Sequence, residues 1–277
     1  MSNLITPRDE LWIYFLQGEV SRSAFADDPG FIGNWEEEGH AFLFFRRPSL
    51  TRVEALQKNV PGLRIKDHYR ISYQDWLGTP VQGFEVGPLQ ILPVWETVSE
   101  HSGEQGLIHL DPGVVFGAGN HQTTRDCLRA LVRIFQDVGA ENLTRVLDLG
   151  CGSGVLALGA ARLGSKRVLA LDTNPLAAST CRRNILGNQL EGAVLTIQGR
   201  AEEFVQVPAD LVMANIHMEV LKTVIRDQGF GQKTWFILSG LLRSQTREVL
   251  SVLKTQGTDI IQVWDEDGTW FTVLGKN

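Results

Sequence analysis

The chain has 277 residues, of which 43% are hydrophobic and 21% are charged. This is enough for one large domain, or for a standard domain with a small one, around a sizeable core. The formal net charge of −6 argues against a nucleic-acid backbone as the main partner, because phosphate contacts need clustered Lys and Arg. It is compatible with a basic protein substrate. No apolar run is long enough to span a bilayer, and the first residues lack the pattern of a secretory signal. We therefore expect a cytoplasmic protein that does not bind membranes.

Residues 1–70 predict a small α+β domain. A helix is expected at Ser49–Asn59, with Ser49 as the N-cap and the following Pro-Gly pair as its stop. Short β-like runs surround this helix: Leu11–Leu16, Ala41–Phe45 and Leu63–Ile65. Residues 71–95 are rich in glycine and proline and predict a connector that contains one short strand, Leu89–Leu92.

Residues 96–277 alternate apolar β-like runs with helical patterns. Helices are predicted at Thr123–Val138, Val155–Leu163 and Pro175–Gly187. The predicted strands are Arg145–Leu149, Val168–Asp172, Ala193–Ile197, Leu211–Ala214, Trp235–Leu238, Ile260–Trp264 and Trp270–Leu274. Alternating βα units imply a doubly wound parallel sheet with helices on both faces. The turn signal Asp267-Gly268 makes the last two strands an antiparallel hairpin. A mostly parallel seven-stranded sheet that closes in this way is typical of the Rossmann-like class I methyltransferase fold.

The segment Val146–Leu156 predicts a strand, a glycine turn and a helix. Gly150, Gly152 and Gly154 permit positive φ angles and let a ligand approach the backbone closely. Their spacing is G-x-G-x-G, whereas the dinucleotide fingerprint is G-x-G-x-x-G. S-adenosylmethionine has a carboxylate and an amine in place of a pyrophosphate, and Asp148 supplies an acidic neighbour for that amine. We therefore assign the loop and Asp148 to the methionine end of S-adenosylmethionine.

Two further strand ends carry candidate site residues. Asp172 can accept both hydroxyls of a ribose, although NAD would use the same residue. Asn215 follows its strand at the edge of the sheet where ligands of open α/β sheets bind. Its side-chain oxygen could hold an amine that is about to be methylated. His217 could take a proton from the substrate or could be a structural histidine. The sequence suggests no metal site.

The segment Asp111–Thr124 reads DPGVVFGAGNHQTT and resembles the signature of the PrmA-type ribosomal protein methyltransferases. Together with the glycine loop, Ser239-Gly240-Leu241-Leu242 and the last hairpin, the resemblance covers residues from about 75 to the end. It implies methylation of amines, from Lys side chains or an N-terminus, on the large-subunit ribosomal protein numbered eleven. It implies cofactor contacts at Thr124, Gly150, Asp172 and Asn215, and we place Phe116 with them. Ala118 stands where the family usually has Thr, and His217 stands where it more often has a small or apolar residue.

These observations predict an S-adenosylmethionine-dependent protein N-methyltransferase that acts as a monomer without direct nucleic-acid binding, with Asn215 and His217 as catalytic candidates. Residues 1–70 would recognise the substrate, because Trp35 lies beside the acids Glu36, Glu37 and Glu38, a combination that suits either a Lys-rich surface or a plain solvated turn. The connector would let this domain move. Three alternatives stay open: a methyltransferase of small molecules or nucleic acid, an NAD-linked oxidoreductase, and a cofactor-binding protein without catalysis. The glycine spacing and the hairpin disfavour the oxidoreductase, and no Asn-Pro-Pro-aromatic turn supports a nucleic-acid enzyme.

Overall fold

The computed structural model describes residues 4–37, 39–96, 106–265 and 268–277. The chain divides into two compact units, residues 1–80 and residues 81–277. Within the described ranges, no helix has the length and the apolar character needed to cross a membrane.

The N-terminal unit is built on an antiparallel sheet. Its strands are β1 (Glu10–Gln17), β2 (Phe31–Glu37), β3 (His40–Phe45) and β4 (Arg64–Ser72), in the spatial order β2-β3-β1-β4. Its helices are α1 (Leu50–Asn59), α2 (Tyr73–Leu77) and a 3-10 turn at Arg22–Phe25. One side of the sheet forms a core with α1, in which Leu43, Phe45 and Val53 are fully buried.

Two elements of this unit differ from the sequence expectation. The strand expected at Leu63–Ile65 is the nine-residue β4, which extends to Ser72. Most of β4 is exposed and polar, so its sequence shows no apolar alternation and hydrogen bonding to β1 determines its length. Strand β2 was not predicted at all. Ser49 does precede α1, but its hydroxyl donates to the Arg47 carbonyl and does not cap the helix.

The larger unit contains the predicted mostly parallel sheet. Three short strands precede it: β5 (Phe84–Val86), β6 (Leu89–Pro93) and β7 (Leu107–Leu110). The main strands are β8 (Arg145–Leu149), β9 (Arg167–Asp172), β10 (Val194–Gln198), β11 (Leu211–Asn215), β12 (Trp235–Leu242), β13 (Asp259–Trp264) and β14 (Trp270–Lys276). The helices are α3 (Gln122–Val138), α4 (Val155–Arg162), α5 (Pro175–Gly187), α6 (Ala201–Phe204), α7 (Met218–Arg226) and α8 (Arg243–Thr255).

The fold class predicted from the sequence is confirmed. The seven main strands run in the order β10-β9-β8-β11-β12-β14-β13, and β14 is antiparallel to both of its neighbours. The reversed strand is the last in the chain, yet it lies inside the sheet between β12 and β13. Gly268 adopts a φ of +70° in the hairpin turn, whereas Asp267 lies outside the described residues.

Apolar side chains point alternately to the two faces of this sheet, and both faces are buried. On β8, Val146 belongs to one core with α3, α4 and α5, and Leu147 and Leu149 belong to the other core with α7 and α8. Because successive strand side chains point to opposite faces, this near-continuous apolar run forms a strand covered on both sides.

The strand register brings the candidate residues to one edge of the sheet. Leu149 on β8 pairs with Leu171 on β9 and with Ala214 on β11. The next residue of each strand or loop is therefore at the same level, and these residues are Gly150, Asp172 and Asn215. Three motifs that are far apart in sequence meet at the carboxyl edge of the sheet, as expected for a ligand site in this architecture.

Candidate active site

The glycine loop, defined as residues 150–154, connects β8 to α4. It requires glycine at its first, third and fifth positions. Gly150, Gly152 and Gly154 have φ angles of +75°, +53° and +86°, which favour glycine. A Cβ atom at position 150 would collide with the Ile216 side chain, and one at position 152 would collide with the Phe116 carbonyl oxygen. The loop therefore leaves no space for side chains at these positions.

All five backbone N–H groups of the glycine loop donate to acceptors within the protein. Gly150 and Cys151 both donate to the Leu171 carbonyl, at 2.8 and 2.9 Å, and Gly154 donates to Cys151 at 2.7 Å. Gly152 donates to the Asp172 carboxylate at 3.0 Å, and Ser153 donates to the Phe116 carbonyl at 2.9 Å. These hydrogen bonds hold the shape of the loop from within the protein.

Asp148 is a fully buried carboxyl group beneath this loop. It is 1% exposed, and its Oδ2 atom accepts a hydrogen bond from the Ala157 N–H at 3.1 Å, while Oδ1 has no partner among the described residues. Burial raises the pKa of Asp148 from 3.8 to about 7, against the lowering effect of the Ala157 N–H and with a further increase from Asp172. A buried oxygen that lacks a donor is suited to a ligand that brings a donor or a positive charge.

Asp172 lies at the end of β9 and is half-buried. Its Oδ2 accepts from the Gly152 N–H, and its Oδ1 accepts from the Asn174 N–H at 2.8 Å. Burial raises the pKa of Asp172, and the hydrogen bonds from Gly152 and Asn174 counteract this effect. Each carboxylate oxygen has a second lone pair, so Asp172 can fix the glycine loop and still accept ribose hydroxyls.

The signature segment, residues 111–124, is anchored on the glycine loop by Ser153 and by Asn184, a residue that the sequence does not point to. The Ser153 hydroxyl donates to the Gly117 carbonyl at 2.7 Å. The buried Asn184 of α5 accepts from the Asp111 N–H and donates to the carbonyls of Asp111 and Ser153, at 2.8 to 2.9 Å. Asn184 lies within a helical pattern, where nothing in the sequence distinguishes it from an exposed polar residue.

Asn215 is connected to the signature segment through Thr123. The Asn215 Nδ2 atom donates to the Thr123 Oγ1 atom at 3.2 Å, and Thr123 Oγ1 lies 2.8 Å from His121 Nδ1. The His121 ring contacts the rings of Phe116 and Trp270, with centroid distances of 5.4 and 5.3 Å. Both His121 and Thr123 belong to the signature segment, but the sequence pattern alone predicts no role for them.

The remaining predicted residues occupy different environments. Thr124 is buried, and its hydroxyl has no partner among the described residues. Phe116 exposes 53% of its surface beside the glycine loop. His217 is exposed at the N-cap of α7 and does not cap that helix. A catalytic role for His217 thus stays a prediction, and no hydrogen bond joins it to Asn215 or Thr123 in the described part of the chain.

Comparison with known sequences decides the family. Residues 50–277 match the sequence model of the family described as ribosomal protein L11 methyltransferase (PrmA). This chain belongs to that family. The match begins earlier than the resemblance at about residue 75 suggested, and it includes α1 and β4 of the N-terminal unit.

Individual relatives agree with the assignment. A ribosomal protein L11 methyltransferase of Clostridium perfringens is 35% identical over 67% of this chain and 58% of its own length. One from Clostridium botulinum is 34% identical over 78% of this chain and 68% of its own. The match thus spans less than two thirds of the C. perfringens relative. A crystal structure of a ribosomal protein L11 methylase from Lactobacillus delbrueckii subsp. bulgaricus aligns over 71% of this chain and 98% of its own, with a TM-score of 0.60 and 28% identity.

The raised pKa of Asp148 generates a testable pH dependence. The folded, ligand-free protein retains a proton on this carboxyl group that the unfolded chain releases between pH 4 and pH 7. Asp148 therefore makes the folded state progressively less stable as the pH rises through this range. Asp148→Asn removes the titration. The free energy of unfolding of the variant, relative to that of wild type, should therefore increase as the pH rises from 4 to 7. Denaturant titrations of both ligand-free proteins at several pH values measure this difference. A difference that stays constant across the range would contradict the assignment.

Proposed function

We propose that this protein is an S-adenosylmethionine-dependent N-methyltransferase that modifies Lys side-chain or N-terminal amines of a large-subunit ribosomal protein. The observation that carries the proposal is the position of Asn215. This residue is the last of β11 and lies level with the glycine loop at the edge of the sheet. Among the described residues, its Oδ1 atom accepts no hydrogen bond, while its Nδ2 atom is held by Thr123. An amide oxygen presented in this way can accept a hydrogen bond from an amine.

The residues around the glycine loop fit the proposed cofactor. Asp148 Oδ1 and Thr124 Oγ1 are buried polar atoms without partners in the described part of the chain, and such atoms are uncommon in folded proteins. Asp148 would hold the cofactor's amine, Asp172 its ribose, and the glycine loop would allow close approach of its methionine end. When bound, S-adenosylmethionine supplies an electrophilic methyl group attached to a sulfonium.

The protein's own contribution would be alignment of the acceptor amine. Correct orientation of two reactants contributes roughly 7–11 kcal/mol to lowering a barrier. The amine must be neutral when it reacts, and Asn215 can bind a neutral amine because its oxygen accepts one N–H and carries no charge. No cluster of three or more potential metal ligands occurs in the ranges that the structure describes.

We further propose that the N-terminal unit selects the protein substrate. Trp35 packs on Phe42 on the sheet face that also carries the exposed acid Glu37. Glu36 has a structural task, because its carboxylate accepts from the Val20 N–H at 2.9 Å and from the Asn34 amide at 3.2 Å. Glu38 lies outside the described residues. Glu37 and Trp35 are therefore the residues of the predicted acidic-aromatic cluster that support recognition of a basic surface.

The cofactor assignment predicts that S-adenosylmethionine and S-adenosylhomocysteine bind and that NAD does not. Asp172→Ala should weaken binding by about 1.5–3 kcal/mol, because charge-assisted hydrogen bonds to the ribose are lost. Asp210→Ala is a matched control, since Asp210 also accepts backbone and side-chain hydrogen bonds but lies at the opposite end of the sheet. It should leave the dissociation constant unchanged. Calorimetry measures the dissociation constants of all three ligands. Tighter binding of NAD than of S-adenosylmethionine would refute the cofactor assignment.

The role of Asn215 predicts a separation of turnover from affinity. Asn215→Ala should lower kcat on the order of 10²-fold, because the acceptor amine loses its alignment, while S-adenosylmethionine affinity changes little. Asn142→Ala, which removes an exposed amide far from the site, should leave both quantities at wild-type values. Steady-state kinetics and calorimetry provide the comparison. A loss of affinity with unchanged kcat would make Asn215 a cofactor-holding residue only.

The proposed activity itself is tested with purified components. The protein is incubated with labelled S-adenosylmethionine and either ribosomal protein L11 or intact ribosomal RNA, and the products are analysed by mass spectrometry. We expect mass increases in multiples of one methyl group at amines of the protein and none on the RNA. Label on RNA alone would replace the proposed substrate class with nucleic acid.

A further inference from the structure

The hydrogen bonds between α3 and the end of β11 have a defined direction. His121 is the N-cap of α3, and its Nδ1 atom accepts the Thr123 N–H at 3.3 Å. A ring nitrogen that accepts a hydrogen bond carries no proton. With Nδ1 in this acceptor tautomer, the Thr123 hydroxyl, 2.8 Å from the same nitrogen, donates its single proton to His121, and the two Thr123 donors share one ring lone pair.

The state of the Thr123 hydroxyl determines which end of the Asn215 amide faces it. Since its proton is used by His121, Thr123 Oγ1 offers only lone pairs towards Asn215, 3.2 Å away. Lone pairs attract the NH₂ group of an amide and repel its oxygen. The Asn215 Nδ2 atom is therefore directed at Thr123, and Oδ1 points to the other side.

Gly240 leaves space next to that oxygen. It has a φ of +78° at the irregularity of β12, where pairing with β14 shifts between Leu238 and Leu241. A Cβ atom at position 240 would lie 3.1 Å from Asn215 Oδ1. A side chain there would fill the space beside the amide oxygen, and glycine avoids this.

We propose that Thr123 is a positioning residue that, oriented by His121, fixes the Asn215 amide with its oxygen towards the acceptor amine. The inference rests on the proposed function. It explains why a buried threonine follows the N-cap histidine by two positions: the helix start orients the hydroxyl, and the hydroxyl orients the amide. With the reverse orientation, Asn215 would present NH₂ to the amine and compete for the lone pair that must attack the methyl group.

Thr123→Val tests the proposal, because valine keeps the shape and removes the hydroxyl. Its kcat for methylation of L11 should fall about tenfold, the effect expected for loss of one orienting hydrogen bond, with the S-adenosylmethionine dissociation constant within twofold of wild type. Thr123→Ser restores the hydroxyl and should recover most of kcat. Thr246→Val is the matched control, since it removes another buried helical hydroxyl, which lies in α8 and donates to the carbonyl of Leu242 at the end of β12, and it should retain wild-type kcat.

A double-mutant cycle separates positioning from general structural damage. If Thr123 acts through Asn215, Thr123→Val should lower kcat by less than twofold in an Asn215→Ala background. An additional tenfold loss in that background would overturn the proposal, as would wild-type kcat in folded Thr123→Val. The failure of the proposed function looks different, because wild-type protein would then methylate no protein amine at all.

Discussion

The backbone of Phe116 lies directly on the glycine loop, with its carbonyl oxygen in the space that a side chain at position 152 would occupy. This close approach is possible only because residue 152 is glycine, and the hydrogen bond from the Ser153 N–H to the same carbonyl fixes it. It holds the signature segment against the loop, and the segment leads into α3 at His121. Together with the Ser153 hydroxyl and the Asn184 amide, this backbone contact between two motifs helps to position Thr123, Thr124 and hence the Asn215 amide.

Much of the larger unit could be predicted because its physical signals are local. The run Arg145–Leu149 is apolar and is followed by glycines, which indicates a buried strand and a tight turn whatever the rest of the chain does. The same holds for the start of α5, where the Asn174 side chain, immediately before the predicted helix start at Pro175, accepts the Leu176 N–H. Parallel strands place such turns at one edge, so the meeting of Gly150, Asp172 and Asn215 follows from the pattern.

Other features depend on contacts between distant residues and leave little trace in the sequence. Strand β4 is held by pairing with β1 and has no apolar face of its own. Asn184 is 73 positions from its partner Asp111, and Thr123 is 92 positions from Asn215. The direction of the hydrogen bonds through His121 requires coordinates, because a histidine in sequence gives no indication of which nitrogen accepts. The acceptors of the loop amides are likewise invisible in the sequence, since they belong to neighbouring segments, as the Leu171 carbonyl does.

The satisfied amides of residues 150–154 also affect the repeated use of the site. A loop whose five N–H groups already have acceptors holds its shape without backbone hydrogen bonds to a ligand. The conformational entropy of ordering this loop is lost once, when the chain folds, and does not recur at each binding event. Under the proposed function, one cofactor molecule is consumed per methyl group, so every cycle would require product to leave and a new molecule to enter. With this loop, each exchange meets the same preformed surface.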